Sequence, residues 1–163
     1  MPSIQVDLPL TADAATKRAF AQRIGDIYGE IMQIGRDLLT VSIHDVGTGG
    51  VWRCHESGAP TPSGLIMCDI RNGRPPETRA RLAQSLIDAC VETFDLDAVW
   101  MKVEFTQHDG DEMYHPHLGG FNTDWTGDER SRRRAGVVEP RDDVELDAER
   151  REELRADRRT GGA

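Results

Sequence analysis

The chain has 163 residues, 37% of them apolar and 30% charged, with a formal net charge of −9. No apolar run approaches the ~20 residues of a membrane span, and an acidic body lacks the basic footprint of non-specific nucleic-acid binding, so neither a membrane nor a nucleic acid is expected as a partner. Residues 128–163 carry 11 acidic and 10 basic residues and scarcely any large apolar side chain, whereas residues 1–127 hold 18 acidic and 10 basic residues in a more globular composition. The folding unit is therefore placed at 2–126, followed by a charged tail, 127–163, read as disordered or as a peripheral helix. No basic segment followed by an apolar stretch opens the chain, so no signal peptide is expected. The cysteines, Cys54, Cys68 and Cys90, are odd in number and lack metal-ligand or redox spacing, which fits a reducing, cytoplasmic location.

Ile4, Val6 and Leu8 alternate with Ser3, Gln5 and Asp7, a strand that Pro9 stops. Thr11 is the expected N-cap of a helix over 12–33, with Asp13 in its first turn and Gly35 ending it; Phe20, Ile24, Ile27 and Ile31 form its apolar stripe. A second strand follows at 39–44, where Leu39, Val41 and Ile43 alternate with polar residues. Residues 47–63 are a Gly/Pro-rich connection with room for a short strand or hairpin at 51–54. The pattern then restarts: a strand over 65–70, a turn at Asn72 and Gly73, and prolines 75 and 76 where a helix start tolerates them. The helix over 77–94 has Leu82, Leu86 and Cys90 on its apolar face, and the fourth strand, 99–106, carries Met101, Val103 and Phe105. Two β-α-β units, about 2–46 and 64–106, predict an α/β (α+β) fold, with parallel pairing and a right-handed crossover inside each unit. The four-stranded sheet would have both helices on one face. Apolar residues on both faces of the second and fourth strands, including Trp100 opposite Met101 and Val103, predict that the other face is buried between subunits.

Pro2 is the first residue with chemical promise. Removal of an initiator methionine is favoured when a small residue follows, and would leave a free secondary amine at the end of a strand. An α-amino group titrates near ~8, and cationic neighbours lower that value, so the amine could act as base, acid or nucleophile without a cofactor. The second feature is Ile70-Arg71-Asn72-Gly73-Arg74: two arginines three apart across a turn can grip one carboxylate through forked hydrogen bonds. His108, Asp109, Asp111, Glu112, His115 and His117 form a polar cluster without a recognised ligand spacing, read as an active-site lid or a subunit contact rather than a metal site. His44 and Asp45 are read as satisfying local backbone groups.

The amino-terminal Pro2 on a strand, the doubled β-α-β pattern and the Ile-Arg-x-Gly-Arg turn before the second helix resemble the tautomerase superfamily, and within it the cis-3-chloroacrylic acid dehalogenase branch. Lys17, Ala21, Ile24 and Asp26 on the first helix, Val99-Trp100, Asp111-Glu112-Met113-Tyr114 and Asp124-Trp125 also match, so the resemblance spans roughly residues 2–126. It implies fused repeats assembled as a homotrimer, no cofactor or metal, Pro2 as the catalytic proline, and Arg71 and Arg74 as the pair that binds a small carboxylate substrate. Glu112 aligns, with a one-residue gap, to a water-activating glutamate. Tyr28 stands where the dehalogenases have a histidine, and Lys102 where they have a tyrosine; Tyr28 can donate a hydrogen bond to a substrate oxygen but is a poor base at neutral pH. The activity implied is proton transfer on an unsaturated or 2-oxo carboxylate. Hydration, dehalogenation or decarboxylation by the same residues is the enzymatic alternative, and a non-catalytic trimeric scaffold with a binding tail is the alternative of another class.

Overall fold

The computed structural model describes residues 2–35, 38–109, 112–116 and 120–121. The chain divides into two units, Met1–Gly127 and Asp128–Ala163, and the described residues all belong to the first. The charged tail, the Asp124-Trp125 pair, Asp111 and His117 lie outside the described residues.

The elements follow the hydrophobic periodicity closely. Strand β1 (Ser3–Leu8), helix α1 (Ala14–Met32) and strand β2 (Thr40–Asp45) form the first unit. A two-stranded hairpin, β3 (Trp52–Arg53) with β4 (Thr61–Pro62), occupies the Gly/Pro-rich connection, as expected. The second unit comprises β5 (Gly64–Arg71), α2 (Pro76–Phe94) and β6 (Met101–His108), after which β7 (Tyr114–His115) pairs with β8 (Gly120–Phe121). Four strands make one sheet in the order β2-β1-β5-β6. Pairing is parallel within each unit, as the crossovers require, and antiparallel where β1 meets β5. The turn after β5 has Gly73 at φ 82, the left-handed conformation that glycine adopts without steric cost.

Three local expectations are corrected. Asp13, not Thr11, caps α1: its carboxylate accepts from the Ala15 and Thr16 backbone N–H groups at 2.8 Å each, so the helix starts two residues later. The helix also stops before Gly35, at Gln33, which is left-handed (φ 56) without glycine's help. Trp100 is not in a strand; it closes a single 3-10 turn, Ala98–Trp100, that Asp97 caps through the Val99 N–H.

Both helices cover one face of the sheet. Ile4, Val6 and Leu8 from β1 and Ile66, Cys68 and Ile70 from β5 meet Phe20, Ile24, Tyr28, Leu82 and Leu86 from the helices. Phe20 and Phe94 join α1 to α2 edge to face at 4.7 Å, and an Arg23–Glu92 ion pair bridges the same helices outside the core. Lys17 of α1 pairs with Asp45 of β2, and His44 Nδ1 lies 2.9 Å from Asp7 Oδ1; these two residues thus meet charged side chains rather than the local backbone groups expected from sequence.

The opposite face differs from expectation too. The register sets Ser3, Gln5, Asp7, Thr40, Ser42, His44, Asp69, Lys102, Glu104 and Thr106 on it, and only Leu65 and Met67 interrupt the polar set. The reason is the pleat: with Trp100 outside β6, Met101, Val103 and Phe105 all turn toward the helices. Polar cross-strand bonds organise this face. Asp69 accepts from the Ser3 hydroxyl at 2.8 Å and from the Thr106 hydroxyl, linking β1, β5 and β6 in one line.

Two tests follow from this packing. Ile66→Ala should lower unfolding stability by about 2–5 kcal/mol, because Ile66 is fully buried at the centre of the helix-covered face; denaturant unfolding measures it. The Asp69 carboxyl is held below its ordinary 3.8 by the Thr106 hydroxyl, then by the Ser3 hydroxyl and His108. A depressed folded value gives stabilisation that is fully present above the ordinary value and lost as pH falls through the folded one. The stability gap between the wild type and Asp69→Asn, measured by denaturant titration at neutral pH and below about pH 4, should therefore shrink on acidification.

Candidate active site

The antiparallel β1–β5 pair decides what lies near Pro2. Ser3 pairs with Asp69, so the residue before it, Pro2, falls opposite Ile70 and one position from Arg71. Pro2 is buried, and its carbonyl accepts from the Thr40 N–H at 3.2 Å, which anchors the start of β1 to β2. Arg71 is the last residue of β5, and Arg74 lies beyond the Asn72-Gly73 turn, two residues before α2 begins; both are half-buried.

Tyr28 comes to the same place from α1. It is 2% exposed, and burial pushes its phenol well above the ordinary value of 10.0. Arg74 and Arg71 act against that shift, while Cys68 adds to it. Guanidinium groups exert such a pull only within a few ångströms to about 10 Å of a phenol in a poorly screened setting, so Tyr28, Arg71 and Arg74 share one environment. A buried phenol kept neutral there is a hydrogen-bond donor, not a base. Cys68 is itself pushed up to about 12, by burial and then by the charge of Asp69, and remains an inert thiol at neutral pH.

Glu112 occupies a different setting. It is exposed, with its carboxylate accepting from the Asp109 N–H at 2.8 Å and lying 3.6 Å from His108 Nδ1. His108 Nε2 in turn lies 3.6 Å from Asp69 Oδ1. The two carboxylates therefore face opposite nitrogens of one imidazole. Asn72 connects this loop to the arginine turn: its backbone N–H donates to the His108 carbonyl at 2.9 Å, and its side-chain amide donates to Asp109 Oδ1 at 3.2 Å. Lys102 is exposed and pairs with Glu104 on the same strand.

The structure thus groups Tyr28 with Arg71 and Arg74, brings Pro2 to the neighbouring strand position, and ties Glu112 to that turn through Asn72. Asn72 and Asp69 were missed as site neighbours in the sequence, and His108 was legible only as one member of a histidine-rich loop. Register alone reveals the last of these, since Arg71 and His108 are paired across β5 and β6.

No family model matches the chain, and no curated protein matches its sequence. Solved structures do match. N1, a member of the cis-3-chloroacrylic acid dehalogenase family, is 21% identical with a TM-score of 0.63, covering 79% of this chain and 88% of its own. The symmetric trimer of Q0 fused 4-OT is 18% identical with a TM-score of 0.63, covering 74% and 95%. Pt0534, in a structure of the protein inactivated by 2-oxo-3-pentynoate, is 18% identical with a TM-score of 0.60, covering 76% and 95%. With its doubled β-α-β unit, its β2-β1-β5-β6 sheet and both helices on one face, the chain has the fold of the tautomerase superfamily.

Proposed function

We propose that the protein is a cofactor-independent enzyme of the tautomerase superfamily that transfers a proton on a small unsaturated or 2-oxo carboxylate. The observation that carries this reading is that Pro2 lies one strand position from Arg71, while the charges of Arg74 and Arg71 act on the buried Tyr28 phenol. In an acidic chain, two guanidinium groups beside a buried donor form a local anion site. Arg71 and Arg74 grip the substrate carboxylate, and Tyr28 donates a hydrogen bond to the adjacent oxygen. With Met1 removed, the Pro2 nitrogen takes the enol proton and returns it to carbon, and the two guanidinium charges hold that amine toward its neutral, basic form. Glu112 serves as a nearby carboxylate acceptor that steadies the Pro2 cation or a water. The subunits assemble as a homotrimer, as Q0 fused 4-OT does, burying the polar sheet face.

Tautomerisation ranks above water addition or dehalogenation because of Tyr28. Adding water to a carbon–carbon double bond calls for a base matched to neutral pH, and burial drives the Tyr28 phenol away from that range. Keto–enol transfer needs only one amine and a held carboxylate.

The tests use phenylenolpyruvate, followed by ultraviolet absorbance, and 2-oxo-3-pentynoate, the inactivator of Pt0534. Pro2→Ala should nearly abolish turnover. Arg71→Ala and Arg74→Ala should each lower kcat/KM by an amount worth about 1.5–3 kcal/mol, the cost of a lost charge-assisted contact. Incubation with 2-oxo-3-pentynoate should add one reagent mass to Pro2: the amine attacks the conjugated triple bond, and its N–H proton passes to the adjacent carbon. Protein that retains Met1 should stay unlabelled and inactive, and a processed protein that turns nothing over would favour the scaffold. In a separate comparison, Tyr28→Phe should reduce tautomerase kcat/KM only modestly, and wild-type kcat/KM for phenylenolpyruvate should exceed that for cis-3-chloroacrylate. Efficient dehalogenation lost in Tyr28→Phe would reverse this order.

A further inference from the structure

His108 is used by no step above, yet its ring stands between two carboxylates at the end of the sheet. Asp69 faces its Nε2 and Glu112 its Nδ1, each at 3.6 Å. These two carboxylates belong to different parts of the fold. Asp69 is fixed on β5 by the Ser3 and Thr106 hydroxyls, whereas Glu112 lies in the segment after β6, where its carboxylate also accepts from the Asp109 N–H at 2.8 Å and its backbone N–H donates to the Asp109 carbonyl at 3.2 Å. The ring therefore spans from a rigid anchor to a carboxylate on a loop. A neutral imidazole can donate from one nitrogen only, while the protonated ring donates from both, so a ring set between two carboxylates is suited to clamping one against the other.

The clamp acts at a defined place. Asn72, between the two arginine positions, holds the His108 carbonyl and the Asp109 side chain, and Asp109 in turn donates its N–H to Glu112. Fixing Glu112 to His108 thus fixes it to the turn that carries Arg71 and Arg74. We propose that His108 is a positioning residue: standing between Asp69 and Glu112, it holds the Glu112 carboxylate against the arginine turn, where the substrate carboxylate binds.

This rests on the function proposed above, and its consequence is specific. The arginines alone set the grip on the substrate carboxylate, so loosening Glu112 leaves that grip intact and disturbs only the placement of the carboxylate beside the reacting groups. Misplacement of such a group by about an ångström costs up to roughly a hundredfold in rate. His108→Gln should lower kcat for phenylenolpyruvate by between about tenfold and a hundredfold with KM nearly unchanged, in contrast to the raised KM of Arg71→Ala. Because His108 acts through Glu112, the His108→Gln/Glu112→Ala double variant should be no slower than Glu112→Ala.

A second readout needs no activity. The Asp109 amide reports the Glu112 contact directly, and its NMR chemical shift should move in His108→Gln toward its position in Glu112→Ala. An Asp109 amide unmoved by His108→Gln, fully additive kinetic losses, or a KM rise matching that of Arg71→Ala would each overturn the proposal. If the amide responds but the wild-type protein turns over no substrate, the clamp stands and the proposed function fails.

Discussion

The antiparallel contact between β1 and β5 is the constraint on which the site depends. Each β-α-β unit could form its parallel pair and cover it with a helix in isolation, but such a unit says nothing about where its strand ends lie relative to the other unit. Antiparallel docking makes the start of β1 coincide with the end of β5. Pro2, Arg71, the Arg74 turn and His108 consequently meet at one end of the sheet. Parallel docking of the same units would have left Pro2 and Arg71 on the order of 20 Å apart, the length of a strand of this size.

That end of the sheet presents two different chemical environments. On the helix side, Tyr28 is enclosed by core residues, and its desolvation outweighs the pull of the arginines, so the phenol remains protonated. On the other side, Asp69 is exposed enough, and sufficiently supplied with hydroxyl donors, to remain a carboxylate below its ordinary range. One short strand end thus holds a neutral donor on one face and a fixed negative charge on the other, separated by the thickness of the sheet.

The polar character of the uncovered face changes what can cover it. A greasy sheet surface needs a partner simply to escape water, whereas a face of Ser, Thr, Gln, Asp and His needs one that satisfies hydrogen bonds. The cross-strand contacts Ser3 to Asp69 to Thr106 and Asp7 to His44, with the Gln5–Asp7 bond along β1, meet part of that demand inside the chain. A subunit contact here would be specific and polar, with shape and hydrogen-bond matching supplying its selectivity.

Much of this protein is written locally in its sequence. Period-2 and period-3.6 apolar patterns set six of the main elements to within a few residues, because burial of one face is a requirement each segment meets by itself. The repeated strand–helix–strand order dictates parallel pairing within each half, and the Arg71–Arg74 spacing across a glycine turn marks an anion grip. Local competition between neighbours was harder to read: Asp13 displaced Thr11 as the cap because a carboxylate able to accept two N–H groups outcompetes a hydroxyl. Trp100 fell outside its strand because Asp97 capped a turn there. The tertiary structure alone decided which residues share the site. The direction of the β1–β5 pair, the reach of Tyr28 to the arginines, and the placement of His108 beside Asp69 all join positions about 40 or more residues apart. Periodicity carries no information about such pairs, because it records only that a residue is buried and never what it is buried against.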